Sequence, residues 1–324
     1  MTSTPMHTGT AATTGRRVTA GAALAAATAV GLSTLAAGAA HAEAAAPPTA
    51  GEIVFDAQLD GDTAPNLYAV SPGDDAPTAW TEGDHRDAQP AWHPDGGQIL
   101  FQSDRGSPSS LFRVDAAGSV TEVTDPGTGK RYPTWSPDGR QIAYEDYAHQ
   151  NPPAEHGIYV SDADGGAATQ ITEQGYYPDW APENDWIVYT RDEGLHNVWS
   201  MRLVRPDGSE HAELFFTQDW EITGPEWNPH GDQIAYRTQN MHGDTVRLWI
   251  RDPDSGEAHE VLREHGGVWN PTWSPDGTHL AVAAQLADGN GIYTLDVSDP
   301  ADPGEPELLL ELPGYETPDL DWTA

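Results

Sequence analysis

The chain has 324 residues, with 51 acidic side chains against 15 basic ones, for a formal charge of −36. Its single lysine is Lys130, so no basic patch exists to displace counterions from phosphate, which excludes nucleic acids and anionic membranes as partners. The absence of cysteine excludes disulfides, thiolate metal sites and a lipid-modified cysteine.

Residues 1–42 carry no acidic side chain. Arg16 and Arg17 precede an Ala-rich apolar run from Val18 to about Ala39, which ends in Ala40-His41-Ala42. That order of charge, apolar run and small-residue cleavage site reads as a secretory signal. Export to the extracellular side follows, with no membrane insertion once the signal is cleaved. Residues 43–50 read as an Ala/Pro linker, and 51–324 as one domain.

The domain is organised around a repeated unit. It stands as PAWHPDGGQILF at 90–101, PTWSPDGRQIAY at 133–144, PDWAPENDWIVY at 178–189, PEWNPHGDQIAY at 225–236 and PTWSPDGTHLAV at 271–282. Within it, the tryptophan suits a half-buried strand. Pro-Asp-Gly forces a turn, with the glycine supplying a positive φ. The alternating apolar run behind it is a second strand. Trp92, Trp135, Trp180, Trp227 and Trp273 lie 43, 45, 47 and 46 residues apart, and Trp322 follows after 49 more. Such periods, with four short strands in each, predict propeller blades. In the unit 131–172 the strands are expected at Arg131–Pro137, Gln141–Asp146, Gly157–Asp162 and Ala168–Thr172. Residues 51–81 supply three strands without an inner one, and 316–322 an inner strand without the other three. Pairing the two completes a sixth blade and closes the ring without an exposed edge. The expected fold is therefore an all-β, six-bladed propeller, clasped through its N- and C-terminal strands. Each tryptophan should bury roughly 150–250 Å² between blades, worth several kcal/mol at about 25 cal/mol per Å².

Propeller geometry sorts the loops onto two faces. The face formed by the loops between blades, and by those joining the second and third strands, collects His85, Arg131, Tyr132, Tyr176, Tyr177, Trp220, Trp269 and Tyr315. Such a mouth suits capture of a protein or a cell-surface glycan. His149, His196 and His242 come from the equivalent loop of three consecutive blades and are the candidate ligands for a divalent metal, the only cofactor the residues suggest. Asp179, Glu226 and Asp319, read as the middle residue of Pro-x-Trp units, would make the channel acidic. Asp162-Ala163-Asp164-Gly165 lacks the downstream glutamate of a calcium loop and reads as a turn. No Gly-x-Ser-x-Gly elbow and no thiol are present to act as nucleophile.

The Trp-Ser-Pro-Asp-Gly units at 135–139 and 273–277, with Ile142-Ala143-Tyr144 and Ile158-Tyr159-Val160-Ser161-Asp162, resemble the propeller repeat of the TolB family over residues 51–324. The resemblance implies six blades. TolB proteins carry a further α/β domain before the propeller, which residues 43–50 are too short to supply. Prolyl oligopeptidase-type peptidases join similar repeats to a hydrolase domain, and oligogalacturonate lyases use them with a histidine-based metal site. The expectation is a non-catalytic, monomeric binding or scaffolding module. The alternative is a metal-assisted, lyase-like enzyme of carbohydrates at the channel mouth, of which His149, His196 and His242 would be the echo.

Overall fold

The computed structural model describes residues 51–323, apart from 60, 75, 107, 125–128, 148–156, 184, 195–196, 266 and 313–317. The expected signal and linker lie outside the described residues. The described chain forms six four-stranded antiparallel sheets, each a blade. The inner strands are Asp87–Trp92, Gly129–Trp135, Tyr176–Trp180, Trp220–Trp227, Val268–Trp273 and Leu320–Trp322. The last of these belongs to the first blade. It pairs with Ile53–Ala57 in the register Ile53 to Trp322, Val54 to Asp321 and Phe55 to Leu320, so the clasp forms as expected. In the unit 131–172, the inner strand starts and stops two residues early, and the outer one shrinks to Thr169–Gln170. An outer strand has a partner on one side only, so its pairing frays first.

The turn chemistry matches its residues. Ser136 accepts the Gly139 amide at 2.8 Å, Gly139 stands at φ 68°, and Asp138 Oδ1 accepts both the Ser136 hydroxyl and the Arg140 amide. Ser274, Asp276 and Gly277 repeat the arrangement. Asp162–Gly166 is a turn, closed by the Gly165 amide on the Asp162 carbonyl.

The core is divided into layers between neighbouring blades. Trp92 packs on Val54, Leu67 and Ala69 of the first blade, Trp135 on Leu100 and Leu111 of the second, and Trp273 on Leu248 and Ile250 of the fifth. Each tryptophan is thus a wedge set into the preceding blade. Aromatics of the second strands complete the layers, Phe55, Phe101, Tyr144, Tyr189 and Tyr236, joined by Tyr293 of the sixth blade's third strand, and all are buried.

Candidate functional site at the channel mouth

Five inner strands are kinked just above their tryptophan. Pairing slips between Ala88 and Ala91, Arg131 and Thr134, Tyr176 and Asp179, Thr223 and Glu226, and Val268 and Pro271. Each slip falls on the proline of the repeat, a residue with no N–H to lose from the ladder. In four consecutive blades the residue before that proline takes a positive φ: Gln89 (55°), Tyr132 (48°), Tyr177 (53°) and Gly224 (51°). For a side-chain-bearing residue this costs about 1–2 kcal/mol, and strain of this kind concentrates at functional sites. Here its product is direction, because Gln89, Tyr132 and Tyr177 line the central channel. Gly224 has no such freedom to be replaced. A Cβ there would lie 2.3 Å from the Asn270 side chain.

The channel encloses about 250 Å³ and has two tiers. Gln89, Tyr132, Tyr177, Gly224, Asn270 and Asp319 form the tier nearer the mouth. Ala91, Thr134, Asp179, Glu226 and Asp321 lie beneath, beside the tryptophans. The register corrects one expectation: Asp321, not Asp319, occupies the position before the tryptophan in the clasping strand, and Asp319 sits one tier higher. Leu320 stands there where the other blades have proline, which shifts the apparent Pro-x-Trp spacing by two residues.

The lower-tier carboxylates also bind blade to blade. Asp179 accepts the amide of Trp227 at 2.8 Å, Glu226 that of Trp273 at 2.9 Å, and Asp321 that of Trp92. Thr272 takes the same part for Trp322 at 3.2 Å, while its hydroxyl donates to Glu226 at 2.9 Å. Burial pushes the carboxyls of Asp179, Glu226 and Asp321 up. Repulsion from the other two adds to this at Glu226, and repulsion from Asp321 at Asp179; the amide hydrogen bonds oppose it. Asp319 is raised by burial and by Asp56, with Arg86 on the rim pulling the other way. None of these four carboxylates has an ion-pair partner among the described residues.

The expected binding residues divide into groups. Tyr132 and Tyr177 meet in the channel, with ring centroids 4.4 Å apart. Tyr176 rests against Trp199 at 5.6 Å and Tyr177 at 6.5 Å. Arg131 places its guanidinium 5.6 Å from the Tyr132 ring and 5.0 Å from that of Tyr147, while Nε and a terminal nitrogen donate to Oε1 of the buried Glu145 at 2.8 and 2.6 Å. These residues form one continuous patch. Burial pushes the Tyr177 hydroxyl up to about 12. Trp220 stands under the Arg247 guanidinium at 4.2 Å. His85 is exposed and lies 3.4 Å from Asp104. Trp269 lines a separate cavity of about 200 Å³ with Gln285 and Leu312. His242 is exposed in a turn, while His149, His196 and Tyr315 lie outside the described residues. Among the described residues, no three His, Asp or Glu side chains are grouped as metal ligands.

Sequence reasoning passed over Gln89, Asn270 and Asp321. The signal that finds them is positional: Gln89 and Asn270 each precede the proline, and Asp321 the tryptophan, of an inner strand.

Six clasped four-stranded blades around a central channel define a six-bladed β-propeller. The family model for the TolB beta propeller domain matches residues 28–220, and the chain belongs to that family. The uncharacterized peptidase YuxL of Bacillus subtilis is 29% identical over 132 residues, which are 39% of this chain and 19% of that protein. The Tol-Pal system protein TolB of Gluconobacter oxydans is 29% identical over 134 residues, 40% of this chain and 27% of that protein. The chain thus spans well under half the length of either relative. The crystal structure of TolB from Acinetobacter baumannii superposes with a TM-score of 0.68 at 17% identity, covering 84% of this chain and 66% of that one. That likeness is one of fold.

Proposed function

We propose that this chain is an exported, non-catalytic propeller that captures a protein partner on its channel-mouth face. The observation that carries the reading is the patch of Arg131, Tyr132, Tyr176, Tyr177 and Trp199 around an open channel, with Tyr132 and Tyr177 held by strained backbone. Tyrosine, tryptophan and arginine are the anchors that dominate protein interfaces, because they present large, stiff surfaces with polar tips. The Tol-Pal name of the Gluconobacter relative, that of a system of proteins, supports a protein rather than a glycan partner. The run from Arg16 to Ala42 supports export.

A photo-crosslinking side chain at Tyr176, compared with one at Asp138 on the opposite face, tests the reading in the native host. A discrete protein adduct formed from position 176 alone is the expected result. Adducts of equal yield from both positions, or a glycan adduct at 176, would overturn it.

A further inference from the structure

The channel beneath the tyrosines is built for a particular chemistry. Four carboxyl groups, Asp179, Glu226, Asp319 and Asp321, line it without an ion-pair partner among the described residues. Glu226 and Asp321 each use one oxygen toward a tryptophan amide, and the Asp319 carboxylate accepts no hydrogen bond from the described residues. Above them, the Tyr132 and Tyr177 rings meet at 4.4 Å, and Asp319 acts electrostatically on both hydroxyls. Carboxylates and aromatic rings lining one channel are the two features that hold an organic cation, the first by charge and the second by cation–π attraction. A bare metal ion needs its oxygens converged at about 2.0–2.6 Å from one point. The described carboxylates are not grouped in that way. An alkylammonium group donates along three directions and tolerates such a wider ring. Guanidinium groups near the mouth are engaged elsewhere: Arg131 on Glu145, and Arg237 on the Val268 carbonyl, Thr223 and Gln239. Arg86 is exposed on the rim and forms no ion pair with Asp319.

We infer that the channel receives a lysine side chain of the protein partner, its ammonium seated among Asp319, Glu226, Asp179 and Asp321 beneath the Tyr132–Tyr177 pair. The inference rests on the partner-capture reading above and specifies what the partner inserts. In the empty channel, protons hold the place of that cation. Burial raises all four carboxyls, with repulsion within the set adding to it at Asp179 and Glu226 and repulsion from Asp56 at Asp319, so they retain protons that an entering ammonium expels. The other titratable groups facing them are Asp56, Arg86 and the two tyrosines.

The test uses the full chain and the capped tripeptide acetyl-Gly-Lys-Gly-amide as probe, titrated by calorimetry at pH 7 in buffers of different ionisation enthalpy. Saturable binding at millimolar peptide is expected, with net proton release, and weakened at least about tenfold when the lysine is Nε-acetylated. Acetylation alters only the probe, so this comparison is independent of folding. Asp319→Asn should weaken binding similarly while leaving the melting temperature within the range of other surface variants. Equal binding of the acetylated peptide, no saturable binding, or binding without proton release would overturn the inference. Spermidine binding more tightly than the peptide would overturn the protein source, and a matching response to calcium, manganese or zinc alone would overturn the organic cation. The two readings fail separately: a protein adduct at position 176 that Asp319→Asn leaves unchanged would preserve partner capture and remove the lysine.

Discussion

Glu226 holds Trp273 twice. Its carboxylate accepts the Trp273 amide at 2.9 Å, and its backbone carbonyl accepts the indole N–H at 3.2 Å. The wedge tryptophan of one blade is therefore fixed by the channel residue of the blade before it. Glu226→Ala leaves the amide and the Thr272 hydroxyl without that acceptor and should lower stability by about 1–3 kcal/mol. Glu226→Gln keeps an acceptor oxygen and should cost less than half as much. Denaturant melts of both variants check this; equal losses would mean that the bond to Trp273 is not what the side chain contributes.

The same carboxyls predict an inverted pH response. Asp179, Glu226, Asp319 and Asp321 are raised in the folded state, so between the unfolded carboxylate range and their folded values the native protein holds more protons than the unfolded one. Their contribution to stability is full below about pH 4 and is lost as pH rises toward and through neutrality. Asp276, lowered to about 2 by hydrogen bonds from Ser274 and Thr278, acts oppositely and fails only in strong acid. The melting temperature should therefore peak in mildly acidic buffer. Replacing the four by Asn or Gln should flatten the decline above the peak. A melting temperature that rises from pH 5 to pH 8 would refute the assignment.

Breaking the Arg131–Glu145 pair should be costly because Glu145 is fully buried while the Arg131 side chain is 34% exposed. Arg131→Met should destabilise by about 3 kcal/mol, since it removes the guanidinium that faces a buried carboxylate. The double variant Arg131→Met/Glu145→Leu should recover most of that loss. A double-mutant cycle with coupling near zero would show that the pair contributes nothing.

Two glycines with similar backbone should respond differently to alanine. Gly118 at φ 77° has open space around it, whereas a Cβ on Gly165 at φ 79° would lie 1.9 Å from the Val123 carbonyl of the neighbouring blade. Gly118→Ala should cost about 1 kcal/mol from backbone strain alone. Gly165→Ala should cost roughly 2–4 kcal/mol by adding the clash. Thermal melts of the two variants compare them directly.

Removing residues 316–324 takes away the strand Leu320–Trp322, its three paired positions on Ile53–Phe55, and the Asp321 acceptor for Trp92. A lost tryptophan wedge alone costs about 3–5 kcal/mol when fully buried, and Trp322 is half-buried. The truncated chain should melt well below the full one and expose its first-blade edge to aggregation. An unchanged melting temperature would mean that the clasp does not hold the ring.

The fold was legible because its signals are local and repeated. Trp-x-Pro, followed by Asp-Gly in three of its five copies, fixes a strand, a turn and a second strand within a dozen residues, and the five copies give the period. The channel was less legible, because its geometry depends on a bulge that one repeat does not announce. Proline at 90, 133, 178 and 225 suggests a break in the ladder, but a residue before proline ordinarily stays extended, so the positive φ at Gln89, Tyr132, Tyr177 and Gly224 goes unannounced. Asp319 was set in the wrong tier for a related reason: Leu320 replaces proline there, so spacing from Pro318 misleads where spacing from Trp322 does not. Tyr132 and Tyr177 were singled out as loop residues on one face. Their meeting at 4.4 Å depends on two separate blades and is written in no single stretch of chain.

Among the described residues the belt of amide-to-side-chain bonds serves four of the six tryptophans, Trp92, Trp227, Trp273 and Trp322. At Ala91 the second blade offers the Trp135 amide no side-chain acceptor, where Asp179, Glu226, Thr272 and Asp321 serve the corresponding amides of other blades. There the Trp135 indole donates to the Ala91 carbonyl at 3.2 Å, and the Tyr132 amide donates to Gln89 Oε1 at 2.9 Å. The joint is fastened one tier higher, by Gln89, and not at the tryptophan amide itself, so hydrogen exchange at the Trp135 amide should outpace that at Trp273, whose amide Glu226 accepts.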